Sequence, residues 1–262
     1  MALFHLTQGT TPLLVNVPHA GTHVPASIFD RLQGDARDLP DTDWFVDELY
    51  GFAADCGAGM MVATHSRYVV DLNRPPDDQA LYATRTTGLV PVETFDGAPL
   101  YRPGQEPGPK EISDRTDAYW LPYHEVLNRE LQRLRQAHGF SILLDAHSIR
   151  GEVPALFDGV LPDLNLGSNG GKSADSELIS GSMRLFETSP ERTAVLDGRF
   201  RGGYNTRHYG RPIENVHALQ MEMPQRLYMN EQPPGRNPAR AAAIQPLLRQ
   251  WVEWLASWRP GP

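Results

Sequence analysis

The chain has 262 residues, 40% of them hydrophobic, which is enough for one large α/β domain with an ordinary core. A net charge of -8 without a basic run argues against a nucleic-acid partner, and an anionic ligand would need a local arginine pocket. A lone Cys56 excludes an intrachain disulfide. The start shows no signal peptide, and no apolar stretch approaches the roughly 20 residues of a membrane span, so a reducing, cytoplasmic setting is expected.

In chain order, Val/Ile/Leu-rich runs predict strands at 13–18, 59–65, 67–72, 140–147, 193–197 and 216–223. Helices are predicted at about 43–56, 116–137, 175–187 and 238–258. In the second helix Tyr119, Tyr123, Val126, Leu127, Leu131 and Leu134 recur at three- and four-residue steps as one apolar stripe. Pro122 should kink that helix or mark its true start, and Gly139 should stop it. Asn237 and Pro238 suit the cap and first turn of the last helix. Strands alternating with helices predict a layered α/β fold, and no Gly/Ser linker divides residues 1–262, so a single domain is expected. Segments 74–112 and 198–215 look irregular. The second gathers Arg199, Arg201, Arg207, His208 and Arg211 among glycines, which marks it as the stronger functional loop.

Three apolar runs deliver polar, metal-type groups at their ends: Leu13 to His19, Ile142 to Ser148, and His217 to Pro224. In open α/β sheets ligands bind at the carboxyl ends of the strands. A lone histidine at such an end is more often structural, which holds for His19 and more strongly for His23. On a strand, Asp145 and His147 share a face, so Asp145 could orient a metal-bound His147 or simply cap a turn. Asp41 and Asp43 could be helix caps, although a carboxylate beside two histidines also suits a catalytic zinc site. Glu222, set between Met221 and Met223, is either a general base for metal-activated water or a solvent-facing carboxylate. Arg67 and Arg74 could fork carboxylates or make surface ion pairs. Ser148 lacks the Gly-x-Ser-x-Gly context of a serine nucleophile.

Taken together, Pro18-His19-Ala20-Gly21, Asp41-Thr42-Asp43-Trp44, Ser66-Arg67, Asp71-Leu72-Asn73-Arg74-Pro75, Leu144-Asp145-Ala146-His147-Ser148 and Gly202-Gly203 with Thr206-Arg207-His208-Tyr209-Gly210 resemble the N-formylglutamate amidohydrolase family. The matching segments run from about residue 12 to 225. The resemblance implies a three-layer α/β/α sandwich around a mixed sheet, phosphorylase/hydrolase-like and related to the zinc exopeptidases. It implies a bacterial enzyme that hydrolyses N-formyl-L-glutamate, a small anionic substrate, to formate and L-glutamate in histidine degradation. The cofactor implied is Zn²⁺, with another divalent metal as the alternative. By the same resemblance His19, Asp43 and His147 hold the metal, Glu222 is the base, Arg67 or His208 stabilises the oxyanion, and Asn73, Arg74 and Arg207 bind substrate. The wider relatives carry Glu three residues after the first His. Here Thr22 stands there, so Asp43 is preferred as second ligand, with Asp41 or His23 in reserve. The alternative activity is a zinc-dependent deacylase or carboxypeptidase acting on another N-acyl amino acid.

Overall fold

The computed structural model describes residues 1–81 and 86–261. Its strands are β1 (Phe4–Thr7), β2 (Leu13–Val17), β3 (Gly59–Ala63), β4 (Ser141–Ile149), β5 (Leu164–Gly167), β6 (Ala194–Leu196), β7 (Val216–Pro224), β8 (Met229–Glu231) and β9 (Pro234–Arg236). The helices are α1 (Ala26–Phe29), α2 (Val46–Leu49), α3 (Pro109–Arg115), α4 (Leu121–His138), α5 (Ser176–Phe186), α6 (Tyr204–Tyr209) and α7 (Pro238–Ser257). Seven strands form one sheet in the order β1-β3-β2-β4-β7-β5-β6, and β8 pairs with β9 as a separate hairpin. β3, β2, β4 and β7 run parallel, whereas β1 is antiparallel to β3 and β5 is antiparallel to β7. The sheet is therefore mixed, with helices on both faces, which is the expected α/β/α class.

The strand pleat explains the layering. Leu13, Val15 and Val17 point to one face with Ile142, Leu144, Ala146, Leu219 and Met221, and there they pack with Leu178 of α5 and Ile244, Leu248 and Trp251 of α7. Leu14, Leu143 and Ala218 point to the other face and pack with Leu127, Leu131 and Leu134 of α4. Farther along this second face the same alternation places polar groups. Asn16, Asp145 and Gln220 lie side by side in register, and His147 pairs with Glu222 in the next layer. A face that begins as core thus ends as a buried polar shelf at the carboxyl ends of the parallel strands.

Gly139 ends α4 with φ 84, a left-handed cap that a side chain would strain. The turn before α4, residues 116–120, takes wider π-type hydrogen bonding, as suits a helix entering Pro122, which has no amide hydrogen to donate. Asn237 caps α7 by accepting from the Arg240 amide.

Three local expectations change. Residues 67–72 form turns, because Val69 N donates to Ser66 O and Asp71 N to Leu89 O, and this folds Asp71 back onto Arg67. The helix expected over 43–56 breaks into α2 and a 3-10 segment, Gly51–Cys56, with Phe45 at φ 61 just before α2. The irregular segment 198–215 contains α6. Of the other irregular segment, residues 82–85 lie outside the described residues.

Candidate active site

His19 follows β2, His147 sits on β4, and Asp43 lies in the loop before α2. All three are buried, and one ligand atom from each lies within 4.8 Å of the others. Asp43 does not cap α2. Its Oδ2 lies 3.0 Å from His147 Nδ1 and 3.8 Å from His19 Nδ1, and it accepts from the Ser148 amide.

The far nitrogen of each histidine meets a carboxylate. His19 Nε2 lies 2.7 Å from Asp71 Oδ1, and His147 Nε2 lies 2.8 Å from Asp145 Oδ2. A carboxylate can only accept, so both Nε2 atoms carry a hydrogen; His19 Nδ1 is left with a lone pair, whereas His147 Nδ1 also donates, to Asp43, a hydrogen that a metal ion would displace. Asn73 Nδ2 also lies 2.9 Å from His147 Nε2. With that nitrogen protonated, Asn73 donates instead to Gln220 Oε1 at 3.4 Å. The carboxylate–imidazole pairs match the arrangement that orients metal-bound histidines.

The shelf is braced from several sides. Asp71 also accepts from Arg67 Nη2 at 2.6 Å and from the Asn73 amide at 2.8 Å. Asp145 Oδ1 accepts from Asn16 at 2.7 Å and from Asn205 at 3.1 Å, while Tyr123 of α4 donates to Asn16. Asn73 Oδ1 accepts from the Asn205 amide, and Gln220 Oε1 accepts from Gly203 N. A Cβ on Gly203 would stand 2.4 Å from Asn73 Nδ2, so only glycine lets the start of α6 approach this closely.

Electrostatics sort the groups. Burial alone would raise Asp71, but Arg67 and His19 outweigh it and hold its carboxyl well below the ordinary range. Burial also opposes the charge on Asp43, and the two histidines and Arg67 overcome it, so Asp43 is lowered. Burial pushes His147 down, yet Asp145 and Asp43 pull it up. His19 is lowered by burial and then by Arg67, with Asp71 only partly offsetting. Burial pushes Glu222 up to about 8.

A divalent metal fits these residues. His19 Nδ1 is a buried nitrogen without a hydrogen-bond partner, and it faces Asp43 across 3.8 Å. Buried Asp43 and Asp71 share one buried guanidinium, Arg67, while buried Asp145 is paired with His147, so three carboxylates face two cationic partners and the cluster carries surplus negative charge. Two imidazole nitrogens and one carboxylate oxygen form a familiar catalytic zinc set.

These groups line one cavity with an empty volume of about 580 Å³, solvent mouth included. His19, Asp43, Arg67, Asn73, Arg74, His147, Gln220 and Glu222 face it, with Phe95, Ile149, Leu156 and Phe200 as apolar wall and Arg199 as a further cation. The cavity therefore gathers seven of the nine residues expected at the site. Arg207 and His208 are absent from its lining. α6 places Arg207 with its Nε on Gly202 O and leaves His208 exposed, its ring stacked on Tyr204 at 4.7 Å, so of the two expected oxyanion donors only Arg67 faces the cavity. The reserve ligands are also elsewhere. Asp41 accepts from Tyr68 and the Phe95 amide, and His23 lies against His65 at 4.8 Å. Arg199 was marked only as one cation of the 198–215 loop, without a role, and Gln220, Asn16 and Asn205 escaped sequence reasoning. The in-register position of Asn16 and Gln220 beside Asp145 was the available signal for those two.

The sequence model of N-formylglutamate amidohydrolase matches residues 11–229. An N-formylglutamate deformylase of Pseudomonas putida is 45% identical over 256 residues, which cover 97% of this chain and 95% of that protein. One from Pseudomonas aeruginosa is 46% identical over 252 residues, covering 96% and 95%. The crystal structure of N-formylglutamate amidohydrolase from Ralstonia eutropha JMP134 superposes with a TM-score of 0.83 at 25% identity, over 98% of each chain. With the matched segment spanning β2 through β7 and every buried group of the cavity, the chain belongs to the N-formylglutamate amidohydrolase family.

Proposed function

We propose that this chain is a metal-dependent amidohydrolase that cleaves N-formyl-L-glutamate to formate and L-glutamate, a step of bacterial histidine degradation. One observation carries the reading. The Nδ1 atoms of two histidines and a carboxylate converge in the cavity that also holds Glu222 and arginines, in a chain 45–46% identical to N-formylglutamate deformylases.

His19, Asp43 and His147 would hold the ion, with Zn²⁺ the best match to the donor set and another divalent metal the alternative. When bound, it supplies Lewis acidity that acidifies water and polarises the formyl carbonyl. Asp71 and Asp145 hold the Nε2 hydrogens of the two histidines, so the Nδ1 atoms are the ones that would ligate, His147 giving up the hydrogen it shares with Asp43. Glu222 takes the proton of the attacking water and returns it to the amide nitrogen as the C–N bond breaks. Arg67, fixed by Asp71, is the donor for charge on the former carbonyl oxygen. Asn73 and Arg74 face the amino-acid half of the substrate, and Phe95, Ile149, Leu156 and Phe200 limit water.

The test compares acid release from N-formyl-, N-acetyl- and N-succinyl-L-glutamate. A preference for the formyl compound of at least about 10-fold in kcat/KM is expected, in line with the few kcal/mol that added carbon atoms cost in a tight pocket. A preference for a larger acyl group would move the assignment to a different N-acyl amino acid deacylase.

A further inference from the structure

Three arginines line the cavity, and their surroundings differ. Arg67 is buried, with Nη2 on Asp71 and Nη1 3.8 Å from Asp43, which holds it at the acidic floor beside the reaction centre. Arg74 is held by the Thr87 and Asn73 carbonyls, directly beside the side chain that touches His147. It therefore belongs near the reaction centre. Arg199 comes from a separate segment, the loop after β6. Its Nε donates to the Leu156 carbonyl at 2.8 Å, and its guanidinium lies 5.2 Å from the centre of the Phe200 ring.

We propose that Arg199 is the specificity-determining residue that binds the side-chain carboxylate of the substrate. The assignment rests on the N-formylglutamate reading above. The substrate carries two carboxylates, and the one next to the scissile amide falls to Arg74. The second is three carbons farther out and needs its own cation, because the cavity floor and the chain as a whole are negative. Arg199 is half-buried in a wall with Leu156 and Phe200, where a pairing carboxylate is screened less than in open water. Its anchored Nε and the Phe200 ring fix the plane of the guanidinium, and a fixed planar fork reads a carboxylate bidentately. A neutral amide of the same size cannot accept both bonds.

Wild type, Arg199→Gln and Arg199→Lys are compared on N-formyl-L-glutamate and N-formyl-L-glutamine. In wild type the glutamate compound should lead by at least about 100-fold in kcat/KM, as expected when a charged partner is lost. Arg199→Gln should lose at least about 100-fold on it while staying within about threefold on the glutamine compound, and Arg199→Lys should fall between. Parallel losses on both substrates, or a retained preference, would overturn the assignment. Calorimetric binding of glutarate against its monoamide reads the same site without turnover. A wild-type preference for glutarate that Arg199→Gln abolishes supports Arg199 even if no formate is released, in which case only the substrate reading fails. No glutarate preference in wild type, or one that survives in the variant, overturns Arg199.

Discussion

Replacing Asp71 by Asn tests how the proposed metal site is held. Asp71 is fully buried and accepts three hydrogen bonds, from His19 Nε2 and the Asn73 amide on Oδ1 and from Arg67 Nη2 on Oδ2. An amide has one acceptor oxygen. If that oxygen stays at the Oδ1 position, the new NH₂ faces Arg67 donor to donor, and a buried guanidinium loses its nearest counter-charge. If the amide flips, the NH₂ faces His19 Nε2, and the imidazole must move its hydrogen to Nδ1, the nitrogen meant for the metal. Removing one partner of a buried ion pair costs about 3–5 kcal/mol, which should lower the melting temperature by on the order of 10 °C. Loss of the carboxylate behind a metal-ligating histidine weakens metal binding by about 10–100-fold. Zinc titration with a competing chelator and thermal unfolding of the metal-free protein read the two effects separately. Zinc affinity within about twofold of wild type in the folded variant would refute the orienting role of Asp71.

Glu222→Gln should keep zinc bound while formate release falls by about 10²–10⁴-fold, the usual share of a general base, and near-normal turnover would remove Glu222 from that role. Gly203→Ala should push Asn73 aside and lower kcat/KM by at least about 10-fold, the scale of a misplaced active-site contact, with the fold checked by circular dichroism. His124 is buried between the Leu72 carbonyl and the Tyr209 hydroxyl, and burial lowers it to about 3. The unfolded chain therefore binds a proton below pH 6.5 that the folded chain refuses, so stability is full above pH 6.5 and declines as the pH falls toward 3. His124→Gln should remove about 2–3 kcal/mol of the loss seen in urea unfolding between pH 7 and pH 4.5, and an unchanged acid limb would contradict this.

The parallel centre of the sheet was legible because β2, β4 and β7 combine long apolar runs with polar ends, and burial on both faces requires such runs. β1 and β5, of four residues each, carry too short a signal. Residues 67–72 read as a strand because Tyr68, Val69 and Val70 are buried, but the Arg67–Asp71 pair and the Leu89 carbonyl fold them into turns, a long-range effect no local pattern encodes. Within 198–215 the cations were visible, but which of them reach the cavity depends on α6. Successive side chains on a helix rotate by about 100°, so α6 turns His208 outward while Arg199, before it, lies along the wall. The candidate metal triad came from three separate segments. His19 and His147 were marked by strand ends, whereas Asp43 looked equally suited to capping a helix.

The most direct test of the central claim is formate release from N-formyl-L-glutamate by the purified protein, by the chelated protein, and by the chelated protein after stoichiometric zinc is restored. The account predicts activity that disappears on chelation and returns with about one zinc per chain, as a single site of two histidines and one aspartate requires. Full activity in protein shown to be free of divalent metal would contradict it.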